Sequence, residues 1–176
     1  MFNSFKPTWT VKSIYDLEPS ELRSHGIKAV LTDLDNTLIA WNNPDGTPEL
    51  RAWLGKMKAA GIPVVVVSNN SHKRVERALK SFDLPFVSRA LKPLTSGIKR
   101  AEKRLGLSAG EVVLVGDQLL TDVWASHNAG IRSILVHPLV LSDAWNTKIN
   151  RFFENIVKHQ MKKEGYQIKW RHSLDD

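Results

Sequence analysis

Ala29-Val30-Leu31-Thr32-Asp33-Leu34-Asp35-Asn36-Thr37-Leu38 is the stretch whose reading decides the fold. An apolar run ends in two carboxylates spaced two residues apart, then breaks into Asn-Thr. Side chains at i and i+2 of a strand share a face, so a turn at the strand end lets both acids project into one crevice. A core strand gains nothing from two adjacent anions, because desolvating them is costly unless a cation compensates. The stretch therefore reads as a metal and phosphate site at the end of a buried strand spanning about 28–33.

The chain downstream repeats a strand-then-helix pattern. Ile39 to Gly46 reads as a short loop with Trp41 and a Pro-Asp-Gly turn. Thr47 reads as an N-cap with Pro48 at the first helical position. Leu50, Trp53, Leu54 and Met57 recur at helical spacing, and Gly61 ends that helix. Ile62 to Val67 is an unbroken, mostly β-branched run, the mark of a strand buried on both faces of a parallel sheet, and it ends in Ser68-Asn69-Asn70-Ser71. Val75, Ala78, Leu79 and Phe82 predict a second helix, and a short strand at 86–88 leads to Leu91-Lys92-Pro93. Ile98, Ala101 and Leu105 mark a third helix closed by Gly106. A strand at 111–115 runs into Gly116-Asp117-Gln118, a helix covers 119–128, and a last strand at 131–136 stops before Pro138. Alternating strands and helices with short connections predict an α/β fold, a doubly wound, Rossmann-like parallel sheet of five strands.

Residues 1–176 are expected to form one domain, with a core over 27–140 between two flanking segments. Residues 1–26 carry Phe2, Phe5, Trp9 and Tyr15 and read as an arm packed over the domain rather than a partner-binding segment. A short helix is expected from Glu18 to His25, ended by Gly26. Residues 141–176 read as an amphipathic helix over 143–163 and a tail, Arg171 to Asp176, expected to fray. Trp145, Ile149, Phe152, Phe153, Ile156, Val157 and Met161 read as one stripe of that helix, flanked by Lys148, Arg151, Lys158, Lys162 and Lys163. Such a helix covers the sheet and turns its basic face to water, or offers that face to membrane phosphates.

Composition narrows the class. With 42% apolar and 24% charged residues, the chain is an ordinary globular protein, not a disordered or fibrous one. The absence of cysteine excludes disulfides and thiolate metal sites and suits a reducing compartment. The N-terminus lacks the apolar core of a signal peptide, and no apolar run approaches the ~18 residues that span a bilayer. A cytoplasmic protein is expected, peripheral at the inner face of the membrane if the last helix meets lipid. The formal charge of +7 and pI near 9.7 point to an anionic partner without naming it. Histidines 25, 72, 127, 137, 159 and 172 lack zinc-type spacing.

Ligands of parallel sheets bind at the carboxyl ends of the strands. Four predicted strand ends carry residues suited to phosphoryl chemistry: Asp33 with Asp35, Ser68, Lys92, and Asp117 with Asp122. Each alone has an ordinary explanation as a turn, helix cap or solvated charge. Their recurrence in one order at successive strand ends does not.

Asp33-Leu34-Asp35-Asn36-Thr37, Ser68, Lys92-Pro93 and Gly116-Asp117-Gln118-Leu119-Leu120-Thr121-Asp122 resemble the four motifs of the haloacid dehalogenase (HAD) phosphatase superfamily. Their wording is similar to the YqeG group of its subfamily IIIA, which is related to phosphatidylglycerophosphate phosphatases. The resemblance spans roughly residues 7–140, and only His127-Asn128 is less typical of the group. It implies a nucleophilic role for Asp33, forming an aspartyl-phosphate, and a general acid and base role for Asp35. It implies Mg²⁺ held by Asp33, the backbone carbonyl of Asp35 and Asp117, with Asp122 steadying its waters or Lys92. Ser68 and Lys92 would neutralise the transferring phosphoryl group, and Thr37 would brace the first loop.

Ile39 to Thr47 is too short for the cap domain that larger members insert, and 69–91 has room for little more than one helix and one strand. An open, capless site suits a phosphorylated substrate that is large, such as an anionic lipid head group of the phosphatidylglycerophosphate kind. Two rivals remain. One is a non-enzymatic basic module binding nucleic acid or ribosome, which the charge allows but no RNA-binding motif supports. The other is a phospho-acceptor domain of the CheY kind, against which the paired acids of the first motif argue.

Overall fold

Apolar alternation sorts the strand residues to two opposite faces of one parallel sheet, and helices cover both. The computed structural model describes residues 2–40, 42–140 and 145–176, with the side chains of 145–147 left out. Trp41, the first residues of the expected last helix (143 and 144) and the side chain of Trp145 lie outside the described residues.

The strands are β1 (Trp9–Val11), β2 (Ala29–Thr32), β3 (Val64–Val67), β4 (Phe86–Val87), β5 (Val112–Gly116) and β6 (Arg132–Val136). They form one all-parallel sheet in the order β1-β6-β5-β2-β3-β4. The helices are α1 (Pro19–Ser24), α2 (Pro48–Ala59), α3 (His72–Ala78), α4 (Ser96–Leu105), α5 (Trp124–Ala129) and α6 (Trp145–Lys163). Val30, Val64, Val66, Val113 and Val115 point to one face, against Leu22, Leu50, Trp53, Met57 and Val75 of α1, α2 and α3. Leu31, Val65, Val67, Val112 and Leu114 point to the other, against Ile98 and Ala101 of α4 and Ala125 and Ala129 of α5. Thr47 caps α2 as its sequence implies, its hydroxyl accepting from the Leu50 N–H at 3.2 Å.

The sheet has six strands, not five. The sixth is Trp9–Val11, which pairs in parallel with Ile134–Val136 at the edge. The partial alternation of Thr10 to Tyr15 in the arm is too short to mark a strand of the sheet by itself, and the docking of the arm against β6 makes it one. The arm packs on the domain as expected: Phe5 lies 5.2 Å, centroid to centroid, from Trp124.

The tail does not fray. Lys12 donates its backbone N–H to Arg171 at 3.0 Å, Arg171 donates to Thr10 at 3.3 Å, and Leu174 is buried. Thus Arg171 bridges to the outer side of β1 and covers a sheet edge that would otherwise expose unpaired backbone groups.

The expected single stripe of α6 divides. Val157 and Met161 are buried against Leu119, Val123 and Leu135. Ile149, Phe152, Phe153 and Ile156 instead face solvent, 53%, 63%, 50% and 48% exposed. At 100° per residue the two sets lie about a third of a turn apart, so one helix carries two apolar faces, of which one is covered.

Candidate functional site

The strand order places a switch point at β2: the chain runs from it through β3 and β4 to one side and reaches β5 on the other. Such switch points open a crevice at the carboxyl end of the sheet. Because β2 and β5 are neighbours in register, Asp33 donates its N–H to Val115 at 2.9 Å, and the residues that follow each strand meet. Asp33, Asp117 and Asp122 each bring a carboxylate oxygen within 4.8 Å of the others.

Lys92 stands among these acids. Its ammonium donates to Asp122 at 2.7 Å and to Asp33 at 3.1 Å, and its side chain is only 2% exposed. The Lys92 loop is fixed by Asn69, whose Oδ1 accepts from the Lys92 N–H at 2.7 Å and whose Nδ2 donates to the Lys92 carbonyl at 3.0 Å. Two residues of that loop, Arg89 (φ 47°) and Leu91 (φ 58°), hold left-handed backbone conformations rarely taken by such side chains. Gly97 lets α4 approach the loop closely, since a Cβ there would sit 2.4 Å from that of Ala90. Gly116 does the same for the acids: a Cβ on it would fall 2.2 Å from the Asp122 carboxyl carbon.

Three carboxylates and one ammonium leave the cluster with a net charge of minus two when all are ionised. Burial pushes the Asp117 carboxyl well above the usual range, and the charges of Asp33 and Asp122 add to it. Burial likewise raises Asp122 to about 6, outweighing the pull of Lys92. Burial alone would depress Lys92, but the attraction of Asp122 and Asp33 holds it above its usual value and fully protonated. The protein alone thus carries more negative charge here than it can comfortably keep. A hard divalent cation with oxygen ligands offsets that excess, and the donor set fits Mg²⁺.

The other expected site residues stand around this centre. Ser68 is buried at the end of β3, beside β2, and its hydroxyl accepts from the Asn70 N–H at 3.1 Å. The Thr37 hydroxyl donates to Asp117 at 3.2 Å, tying the first loop to the fourth. Asp35 differs. Its carboxylate, 37% exposed, turns from the acidic cluster to accept from Asn70 Nδ2 at 2.8 Å and Arg74 at 3.3 Å. Any share it has in a metal would come through its main chain.

Two contributors were not singled out from sequence. In the sequence Asn69 stands out only as part of a strand end, although an amide with both a donor and an acceptor is what clamps a neighbouring peptide unit. Glu154 of α6 is buried and accepts the Leu120 N–H at 2.6 Å, closing the start of the segment that carries Asp122. Burial raises its carboxyl above the usual value. The signal for it was present: Glu154 is the one acid within the sequence of α6.

Residues 13–130 match the family of haloacid dehalogenase-like hydrolases. The chain is 39% identical over 166 residues to "Probable phosphatase YqeG" of Bacillus subtilis (strain 168), covering 94% of this chain and 96% of that protein. It is 28% identical over 142 residues to phosphatidylglycerophosphate phosphatase 1, chloroplastic/mitochondrial, of Arabidopsis thaliana, covering 76% of this chain. It spans only 41% of that plant protein. The fold is shared with a crystal structure of an uncharacterized protein from Listeria monocytogenes serotype 4b, at a TM-score of 0.53 and 19% identity, over 68% of this chain and 84% of that one. A family match over residues 13–130, enclosing acids that meet at adjacent strand ends, leads to one conclusion: the chain belongs to the haloacid dehalogenase-like hydrolases.

Proposed function

We propose that the protein is a Mg²⁺-dependent phosphomonoesterase. The observation that carries this reading is the meeting of Asp33, Asp117 and Asp122 around the buried ammonium of Lys92. The family and the phosphatase name of the Bacillus subtilis relative support it.

In this reading Asp33 attacks phosphorus as the bond to the leaving oxygen breaks, and Asp35 gives that oxygen a proton. Water then attacks the phosphorus of the aspartyl-phosphate while Asp35 takes its proton, and the bond to Asp33 breaks to release phosphate. Lys92 aligns Asp33 and, with Ser68, meets the charge of the transferring group. Asp33 and Asp117 would hold Mg²⁺ with the Asp35 carbonyl, Asp122 lying behind them, and the ion would supply further neutralisation of the phosphoryl oxygens.

For substrate we propose a phosphorylated anionic lipid head group, reached by peripheral contact with a membrane. Support comes from the plant relative named for phosphatidylglycerophosphate and from the exposed apolar face of α6 with lysines beside it. Among the described residues no helix is long and apolar enough to cross a membrane.

The test is phosphate release from an aryl phosphate in Mg²⁺ by the protein and its Asp33→Asn variant. Full activity in the folded variant removes the covalent route. RNA binding that weakens steeply with salt, together with no phosphate release, would favour the basic-module reading instead. Micelles of phosphatidylglycerophosphate compared with soluble sugar and nucleotide phosphates test the substrate, and preference for a soluble metabolite discards the lipid.

A further inference from the structure

A phosphoryl group expels its leaving oxygen on the side opposite the nucleophile, because attacking and leaving atoms stay roughly in line. Asp33 is the deeper of the two acids of the first loop, 17% exposed against 37% for Asp35, and its Oδ1 accepts from the buried Lys92 ammonium. Attack from Asp33 therefore sends the leaving oxygen outward, to the rim where Asp35 stands. Asp35 is held at that rim by one oxygen: Asn70 Nδ2 donates to Oδ2 at 2.8 Å, and Arg74 of α3 donates to the same atom at 3.3 Å. Asn70 is in turn fixed at both ends of its main chain. Its N–H donates to the Ser68 hydroxyl at 3.1 Å, and its carbonyl accepts from the Arg89 N–H at 2.9 Å. No donor among the described residues reaches Oδ1 of Asp35. A proton on Oδ2 would face two N–H groups, so a protonated Asp35 carries it on Oδ1. The Arg74 side chain is 60% exposed, and an ion pair so open to water adds little to folding.

We propose that Arg74, with Asn70, is a positioning residue: it holds Asp35 by Oδ2 so that Oδ1 hands its proton to the leaving oxygen. The inference rests on the phosphatase reading and on the acid role given there to Asp35, and it assigns the device that aims the acid. As the bond from phosphorus to the leaving oxygen breaks, the proton passes from Oδ1 to that oxygen. The carboxylate left behind keeps both donors, which offset the charge it gains. In this role Arg74 acts through Asp35 and not on the phosphoryl group.

The experiment compares phenyl phosphate with 2,4-dinitrophenyl phosphate in Mg²⁺ through kcat/KM, which reports the step that expels the leaving group. Dinitrophenoxide departs without a proton, whereas phenoxide departs poorly without one, so the ratio of the two esters reads the acid and little else. Arg74→Ala should lower the phenyl-to-dinitrophenyl ratio about tenfold, a part of the ~10²–10⁴ that a positioned acid supplies. Arg74→Met, which keeps the stem, should do the same, and circular dichroism melts confirm that each variant is folded. Asp35→Asn should lower the ratio by itself, and adding Arg74→Ala to it should change the ratio by less than about twofold, since both changes remove one function. A ratio that falls less than about threefold with Arg74→Ala, or that rises, overturns the inference, as does a further fall beyond about twofold in the Asp35→Asn background. If Asp35→Asn leaves the ratio unchanged, the acid role fails and Arg74 has nothing to aim. If the parent releases phosphate from neither ester, the phosphatase reading itself fails, and the inference goes with it.

Discussion

Replacing Lys92 by Met keeps the apolar stem and removes the charge, which isolates the electrostatic role of the residue. The ammonium lost is the group bonded to Asp122 at 2.7 Å and Asp33 at 3.1 Å. Removing one partner of a buried ion pair costs about 3–5 kcal/mol, since the other is left charged and desolvated. That cost has a ceiling set by pH, because a stranded carboxylate can take up a proton. Doing so costs about 1.4 kcal/mol for each pH unit above its ordinary titration. For each acid the ceiling is therefore about 6 kcal/mol at pH 8 but only about 2 kcal/mol at pH 5. The full penalty should appear at pH 8, and a smaller one at pH 5.

For a chain of this size each kcal/mol moves the midpoint by about 2–4 °C, so Tm should fall by about 6–20 °C at pH 8 in EDTA. Thermal unfolding followed by circular dichroism at the two pH values makes the comparison. An equal loss at pH 5 and pH 8 would mean that packing, not charge, is what Lys92 supplies. No loss at either pH would refute the ion-pair reasoning outright.

Three further outcomes follow from the same geometry. Asp122, raised to about 6 by burial, supports the metal-free fold below its ordinary value of 3.8 and withdraws that support as pH rises through about 6. In EDTA the protein should therefore lose about 3 kcal/mol between pH 4 and 7 from this group, and millimolar Mg²⁺ should restore it at pH 7; a denaturant midpoint indifferent to Mg²⁺ contradicts this. Glu154→Leu strands the Leu120 N–H and should cost about 1–3 kcal/mol while raising the Mg²⁺ concentration for half-maximal activity. Glu154→Gln, which keeps an acceptor, should recover most of both, and failure to do so in urea melts and Mg²⁺ titrations would point to charge instead. Phe152→Ser with Phe153→Ser removes two exposed side chains, each worth at most about 1.5–3 kcal/mol on burial, so co-sedimentation with anionic vesicles should drop tenfold or more while Tm stays put. Unchanged co-sedimentation would rule α6 out as the lipid contact.

The acids and the parallel sheet were legible because each leaves a local signature. Val64 to Val67 must be buried on both faces, and Asp33, Ser68, Lys92 and Asp117 fall where such strands end. Residue order could not show the direction of a side chain after a turn. Asp33 and Asp35 lie two apart, yet Asp33 enters the acidic cluster and Asp35 turns to Asn70 and Arg74. The strand ends at Thr32, before either acid, so the period of two that would align them does not hold. Likewise β1 exists only because β6 offers an edge, and Arg171 pairs only because β1 is there. Such structure depends on long-range contact, which no window of sequence contains.

The last helix is the harder case. Its apolar residues span about half the circumference, and a helix that is apolar over so wide an arc needs more than one neighbour. Val157 and Met161 find theirs in Leu119, Val123 and Leu135. Glu154, on that covered side, takes the Leu120 N–H, and Arg151 and Lys158, one step further round, line the cleft beside Asp117. Ile149, Phe152, Phe153 and Ile156 are left facing out. One rigid rod therefore touches the Asp122 segment, the cleft and the apolar surface at once. If lipid takes the outer face, the same contact steadies the segment that holds the acids, since the helix is one body. Binding and turnover would then rise together on a membrane, through a helix that makes no covalent contact with substrate.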